Sequence, residues 1–87
     1  MTTTSEITEA DLAELITGIY RSALGDAALD DSSDFFEAGG DSLSAFQITA
    51  QLQAALGADV PVALVFAYPS PADLAAVLDL DSVLDVD

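Results

Sequence analysis

Sixteen acidic side chains stand against a single base, Arg21, in a chain of 87 residues. That imbalance removes most of the ways a small protein can be held together. Ion pairs cannot contribute much with one cation, and at a net charge of -15 the carboxylates mainly repel one another. Cysteine is absent, so no disulfide and no zinc-finger spacing is available. Burial of apolar surface is what remains. The composition supplies it, since 52% of residues are hydrophobic, which also argues against disorder. The length fits one small domain with a modest core, near the stability limit.

The same charge excludes functions. Direct binding to nucleic acid or to an anionic membrane is disfavoured. Basic partner surfaces are favoured, although the plain alternative is that the acids form a solvated, solubilising surface. The N-terminus has neither a basic region nor an apolar run, so no signal peptide is read. The longest charge-free stretch, Ser42 to Ala58, carries too many Ser, Thr and Gln to span a membrane. Together with the lack of cysteine this fits a cytoplasmic location, and Met1 suggests a free-standing protein.

Punctuation predicts four helices. Thr8 and Asp11 stand in a capping-box relation, and Ile7 and Leu12 occupy the positions of a hydrophobic staple. Leu12, Leu15, Ile16, Ile19, Tyr20 and Ala23 then form one apolar stripe, which Gly25 ends. A long connection, 26–41, has no period; Leu29, Phe35 and Phe36 are its expected anchors. The second helix is expected over Ser42 to Leu56, between an Asp41 cap and a Gly57 stop. It carries two apolar stripes. Ala45, Ile48, Leu52, Ala55 and Leu56 are expected in the core. Leu43, Phe46, Ala50 and Ala54 lie roughly opposite, which leaves Leu43 and Phe46 partly exposed near Ser42. The segment 60–66 reads as a short helix with Pro61 in its first turn, because a lone strand would have no partner. Ser70-Pro71-Ala72-Asp73 starts the last helix, whose buried stripe is Leu74, Ala75, Val77 and Leu78. The expected organisation is a flexible segment over 1–6, one domain over 7–79 and an acidic frayed tail over 80–87.

Chemistry is concentrated in Phe35-Phe36-Glu37-Ala38-Gly39-Gly40-Asp41-Ser42-Leu43. Two glycines let the backbone turn without shielding the Ser42 hydroxyl, which sits at a helix N-terminus favourable to a phosphate. Gly40-Asp41-Ser42-Leu43 spells a hydrolase signature, but a serine hydrolase needs a general base, normally His, and the chain has none. A phosphate-binding P-loop fails because no Lys follows the glycines. Asp30, Ser32 and Asp34 have the spacing of a calcium loop, which then fails at Phe35 and Asp41, so no metal site is expected. An openly displayed serine without a base reads as an attachment point.

Residues 34–43 resemble the core motif of peptidyl carrier (thiolation) proteins of nonribosomal peptide biosynthesis. Phe66-Ala67-Tyr68-Pro69-Ser70-Pro71-Ala72-Asp73-Leu74-Ala75 resembles the same family's downstream segment, at the matching distance. The resemblance covers nearly the whole chain. It implies an all-α fold: a small four-helix bundle with a long loop between helices 1 and 2 and a short third helix. It implies a covalent 4'-phosphopantetheine arm on Ser42, derived from coenzyme A, with Gly39, Gly40 and Asp41 shaping the site and Asp41 helping to position magnesium during transfer. The protein would hold an aminoacyl or peptidyl thioester and catalyse nothing alone. Implied partners are a phosphopantetheinyl transferase, an adenylation enzyme, and condensation, thioesterase or tailoring enzymes, met by a monomer through Leu43, Phe46, Gln47 and Ala50. Three departures stand out: Ala38 in place of a larger aliphatic, Ala63 in place of a base, and a second helix without an acidic face. The last argues against docking by charge at that helix, but not against the attachment. The alternatives are a polyketide-type or other acyl carrier and, more distantly, an unmodified acidic helical adaptor.

Charge repulsion makes one physical expectation independent of any function. Salt screens exposed charges over about 10 Å at 0.1 M, so the melting temperature should rise from low to moderate sodium chloride. A fall would mean that attractive contacts around Arg21 outweigh the repulsion.

Overall fold

A computed structural model describes residues 8–85 as four helices: α1 (Glu9–Leu24), α2 (Ser42–Leu56), α3 (Ala63–Ala67) and α4 (Pro71–Asp85). The segment expected to be flexible over 1–6, Ile7 of the staple, and the last two residues of the expected tail lie outside the described residues. The backbone of α4 stays helical to Asp85, beyond the Asp79 boundary of the expected domain. No helix of the described residues is long and apolar enough to cross a membrane.

The helix ends follow their punctuation. The Thr8 hydroxyl accepts from the Asp11 amide at 3.0 Å, and Ser70 Oγ accepts from the Asp73 amide at 3.2 Å. Gly25 and Gly57 close α1 and α2 in the left-handed conformation that favours glycine. The third helix is less regular. It begins at Ala63, so Pro61 lies outside it; the Pro61 carbonyl accepts from the Leu64 amide at 3.1 Å and turns the chain in. Val62 gives α3 no side-chain cap.

The first helix packs most extensively on α4 and then on α2, and α3 rests on α2. Ile16, Tyr20, Ala45, Ile48, Leu52, Val65, Leu74 and Ala75 are fully buried between them. The inner stripe of α2 is thus confirmed through Leu52. Ala55 departs from it: it is exposed, because the stripe drifts out of the interface in the last turn, where Leu56 is only half-buried. Thr17 and Thr49 are buried polar residues within the apolar packing. Each donates its hydroxyl to its own helix, to the Ala13 and Phe46 carbonyls at 2.7 and 3.1 Å. That satisfies the group and makes burial tolerable.

Three fastenings hold the long connection 26–41 against the helices. Arg21, the lone base, donates through Nε to the Leu29 carbonyl at 2.8 Å. The Ala72 amide donates to the Asp31 carbonyl at 2.9 Å, and the Phe35 amide to the Pro69 carbonyl at 2.9 Å. Leu29 and Phe35 are buried, as expected of anchors, and Phe35 is fully so. Phe36 is not: it is 52% exposed. Consecutive residues of a turn point different ways, and Phe35 has taken the inward position. Its ring meets Tyr20 and Phe36 edge-on, at centroid distances of 6.1 and 5.4 Å.

Gly40 lies directly on the Phe35 ring, so a Cβ there would overlap it, and the Gly40 amide donates to the Phe35 carbonyl at 2.9 Å. Gly18, by contrast, sits exposed inside α1 with open space where a Cβ would go. The two glycines should therefore respond oppositely to the same substitution. Gly40→Ala should cost about 1–3 kcal/mol through forced repacking, whereas Gly18→Ala should add about 0.5–1 kcal/mol from helix propensity. Urea denaturation of the two variants checks this; equal effects would contradict the packing at Gly40.

Candidate functional site

The turn before α2 is built by its acids. Asp34 Oδ2 accepts from the Phe36 and Glu37 amides at 2.8 and 2.9 Å, and the Asp34 carbonyl accepts from Ala38. Gly39 follows with a φ of 91°, a conformation costly for any residue with a side chain. Asp41 is extended, and its Oδ1 accepts from both the Ser44 amide (2.9 Å) and the Ser44 hydroxyl (3.0 Å). Ser42 is then the first residue of α2, and it is exposed.

This arrangement defines what Ser42 can do. The nearest carboxylate in sequence is Asp41. Hydrogen bonds from the Ser44 amide and then the Ser44 hydroxyl hold its carboxyl below the usual carboxylate range, so it is ionised and a weak base. The chain has no His, Cys or Lys to serve instead. Ser42 is therefore exposed, with no side chain of this sequence suited to activate its hydroxyl. The site suits a phosphodiester in its geometry: an exposed oxygen, a glycine turn with no side chain over it, and a helix N-terminus beneath it. The Asp41 charge opposes an anion there and suits a cation bridging to it.

The calcium-like residues have other roles. Asp30 Oδ1 accepts from the Ser32 amide and hydroxyl at 3.0 and 2.9 Å and from the Ser33 hydroxyl at 3.2 Å. These bonds, those from Ser32 foremost, lower its pKa. Among the described residues no group of three or more His, Cys, Asp or Glu side chains is arranged to hold a metal ion. The surface depression between α1 and the connection, lined by Asp11, Glu14, Arg21, Asp30 and Asp31 among others, includes none of residues 39–43.

The outer stripe of α2 flanks the serine. Leu43 is 66% exposed and Phe46 59% exposed; Gln47 and Ala50 are exposed beside them. Two further exposed rings belong to the apolar surface and were missed in the sequence. Phe66 of α3 stacks on Phe36 at 6.0 Å and 20°, and Tyr68 caps the C-terminus of the same helix. One signal pointed there: no charged residue occurs between Pro61 and Ala72.

Comparison with known proteins gives the family of the chain. The family described as "Phosphopantetheine attachment site" matches residues 6–78. A probable non-canonical nonribosomal peptide synthetase, CymA, of Salinispora arenicola is 41% identical over 78 residues, covering 88% of this chain. The polyketide synthase GfsB of Streptomyces halstedii is 42% identical over 67 residues, covering 74% of it. The chain spans only 1% of the length of each. A solved nonribosomal PCP domain is 31% identical and superposes with a TM-score of 0.70, over 86% of this chain and 94% of that one. The match of nearly the whole chain to the attachment-site family, and of nearly a whole solved domain to the chain, make it a member of the phosphopantetheine-binding carrier family, of the peptidyl carrier type.

Proposed function

We propose that Ser42 carries the 4'-phosphopantetheine arm and that the chain presents an aminoacyl or peptidyl thioester on it to partner enzymes. The observation that carries this reading is an exposed hydroxyl at the first residue of α2, on a fastened turn, in a chain without a base to activate it. The arm, when bound, supplies the thiol that a cysteine-free chain lacks. A separate phosphopantetheinyl transferase removes the Ser42 proton as the oxygen replaces the nucleotide leaving group of coenzyme A on phosphorus. Asp41, the neighbouring residue and held ionised, would be the residue of this chain to offer a ligand to a divalent cation in that complex. The turn and α2 hold the attachment oxygen in place, and tethering keeps cargo at a high effective concentration near each partner. The protein acts as a cytoplasmic monomer and performs no chemistry alone. Loading falls to an adenylation enzyme, and condensation, thioesterase or tailoring enzymes consume the cargo. The similarity to a polyketide synthase favours, as a second reading, the same arm with an acyl cargo.

Docking uses the apolar surface beside Ser42: Leu43 and Phe46 with Gln47 and Ala50, extended by Phe36 and Phe66. With no charge from Ser42 to Ala58, association there is driven by burying apolar area, at about 25 cal/mol per Å².

Two measurements test these assignments. With coenzyme A and a broad-specificity transferase, the wild type should gain the mass of one arm, while Ser42→Ala stays folded, because Asp41 still caps α2, and gains none. A wild type that stays unmodified would refute the carrier reading. Phe46→Ala should cost far less than the roughly 3–5 kcal/mol of a buried Phe, yet slow arm transfer or loading by about 1 kcal/mol, roughly fivefold. Normal transfer by the folded variant would remove Phe46 from the docking surface.

A further inference from the structure

One carbonyl oxygen joins three parts of the fold. The Pro69 carbonyl, at the junction between α3 and α4, accepts from the Tyr20 hydroxyl of α1 at 2.9 Å and from the Phe35 amide at 2.9 Å. The Tyr20 side chain is fully buried. Burial, with the Asp34 charge adding to it, pushes its phenol up, so the hydroxyl keeps its proton and stays a donor at any working pH. From Phe35 the chain of contacts leads to the site. The Phe35 carbonyl accepts from the Gly40 amide, Gly40 lies on the Phe35 ring, and Ser42 follows two residues later. The turn 35–40 is thus a closed unit whose inner end is fixed at Pro69. On its other side Ser42 joins α2, which Ala45, Ile48 and Leu52 seat in the core. The serine oxygen sits where these two supports meet.

We propose that Tyr20 is a positioning residue for arm attachment, its hydroxyl holding the Pro69 carbonyl and, through Phe35 and Gly40, the turn that presents Ser42. The proposal rests on the assignment of Ser42 made above. Tyr20 touches neither coenzyme A nor the transferase; it acts through the backbone. A phenol that only satisfied its own burial would affect melting temperature and nothing else. A positioning phenol also affects the rate at which a docked carrier reacts, because misplacement of the attacking oxygen is felt in the transition state.

The test compares arm transfer to the wild type, Tyr20→Phe and Leu12→Ala, with coenzyme A and a broad-specificity transferase, at a temperature where circular dichroism shows all three folded. Tyr20→Phe keeps the ring and removes one donor. Leu12→Ala removes core volume about two turns away on α1 and leaves the Pro69 carbonyl untouched. Tyr20→Phe should lower kcat about fivefold, the effect of one neutral hydrogen bond, with KM for the carrier within about twofold because the α2 face is unaltered. Leu12→Ala should leave both unchanged. A wild-type kcat in Tyr20→Phe, or an equal fall in Leu12→Ala, overturns the proposal. Amide hydrogen exchange of the wild type decides the matter even if Tyr20→Phe does not fold. Phe35 and Gly40 amides should be protected like that of Leu52, and exchange as fast as the Ala27 amide overturns the proposal. A wild type that takes up no arm refutes the Ser42 assignment and the proposal together, whereas a loaded wild type matched by Tyr20→Phe refutes the proposal alone.

Discussion

Burial of the Phe35 ring is the contact on which the site depends. The connection 26–41 has no regular hydrogen-bond ladder of its own, so its ordering entropy must be offset by contacts to the helices. Phe35 contributes the largest fully buried side chain of that connection. Full burial of a Phe stabilises by about 1.5–3 kcal/mol, and edge-on contacts with Tyr20, Phe36 and Phe66 add to it. Its amide and carbonyl are both bonded, to Pro69 and Gly40, so the inserted ring leaves neither group unsatisfied. The need for glycine at position 40 follows from the ring beneath it. Ser42, two residues beyond that glycine, is exposed.

The charge pattern has a spatial counterpart. With one base, the protein cannot neutralise its acids internally, and it uses that base to hold a carbonyl, Leu29, in the connection. Several acids act locally as turn and helix caps, where accepting two or three backbone or hydroxyl hydrogens is a use for a carboxylate that needs no cation: Asp30, Asp34 and Asp41 all do this. The acids leave 42–58 and 61–72 bare. Those two stretches carry the exposed Leu43, Phe46, Phe66 and Tyr68. A protein of this charge thus keeps an uncharged apolar surface beside Ser42. A partner docking there, as proposed, would be spared the desolvation of carboxylates.

Local rules made the helices legible. Caps at Thr8, Asp41 and Ser70, stops at Gly25 and Gly57, and the division of α2 into inner and outer stripes each depend on residues within a few positions of one another, and each was found. The Asp41 cap that sets Ser42 as the first residue of α2 was legible for the same reason. What sequence reasoning missed is set at long range. Phe35 and Phe36 are chemically identical neighbours, and only the position of Pro69 and Tyr20 decides which turns inward. The Tyr20–Pro69 bond spans 49 positions and leaves no periodic trace. Ala55 fits the inner stripe of α2 by angle but is exposed in the helix's last turn. Phe66 could not be assigned to the surface while its helix, five residues long, had an uncertain start.

The account stands on one residue as the attachment point, among several hydroxyls close to it in the chain. Fragmentation of the arm-loaded protein by tandem mass spectrometry locates the modification residue by residue. The structure predicts the arm on Ser42 alone, with Ser44, whose hydroxyl is committed to Asp41, and Ser32 and Ser33, bonded to Asp30, unmodified. An arm found on Ser44 or on any other hydroxyl than that of Ser42 would contradict the account.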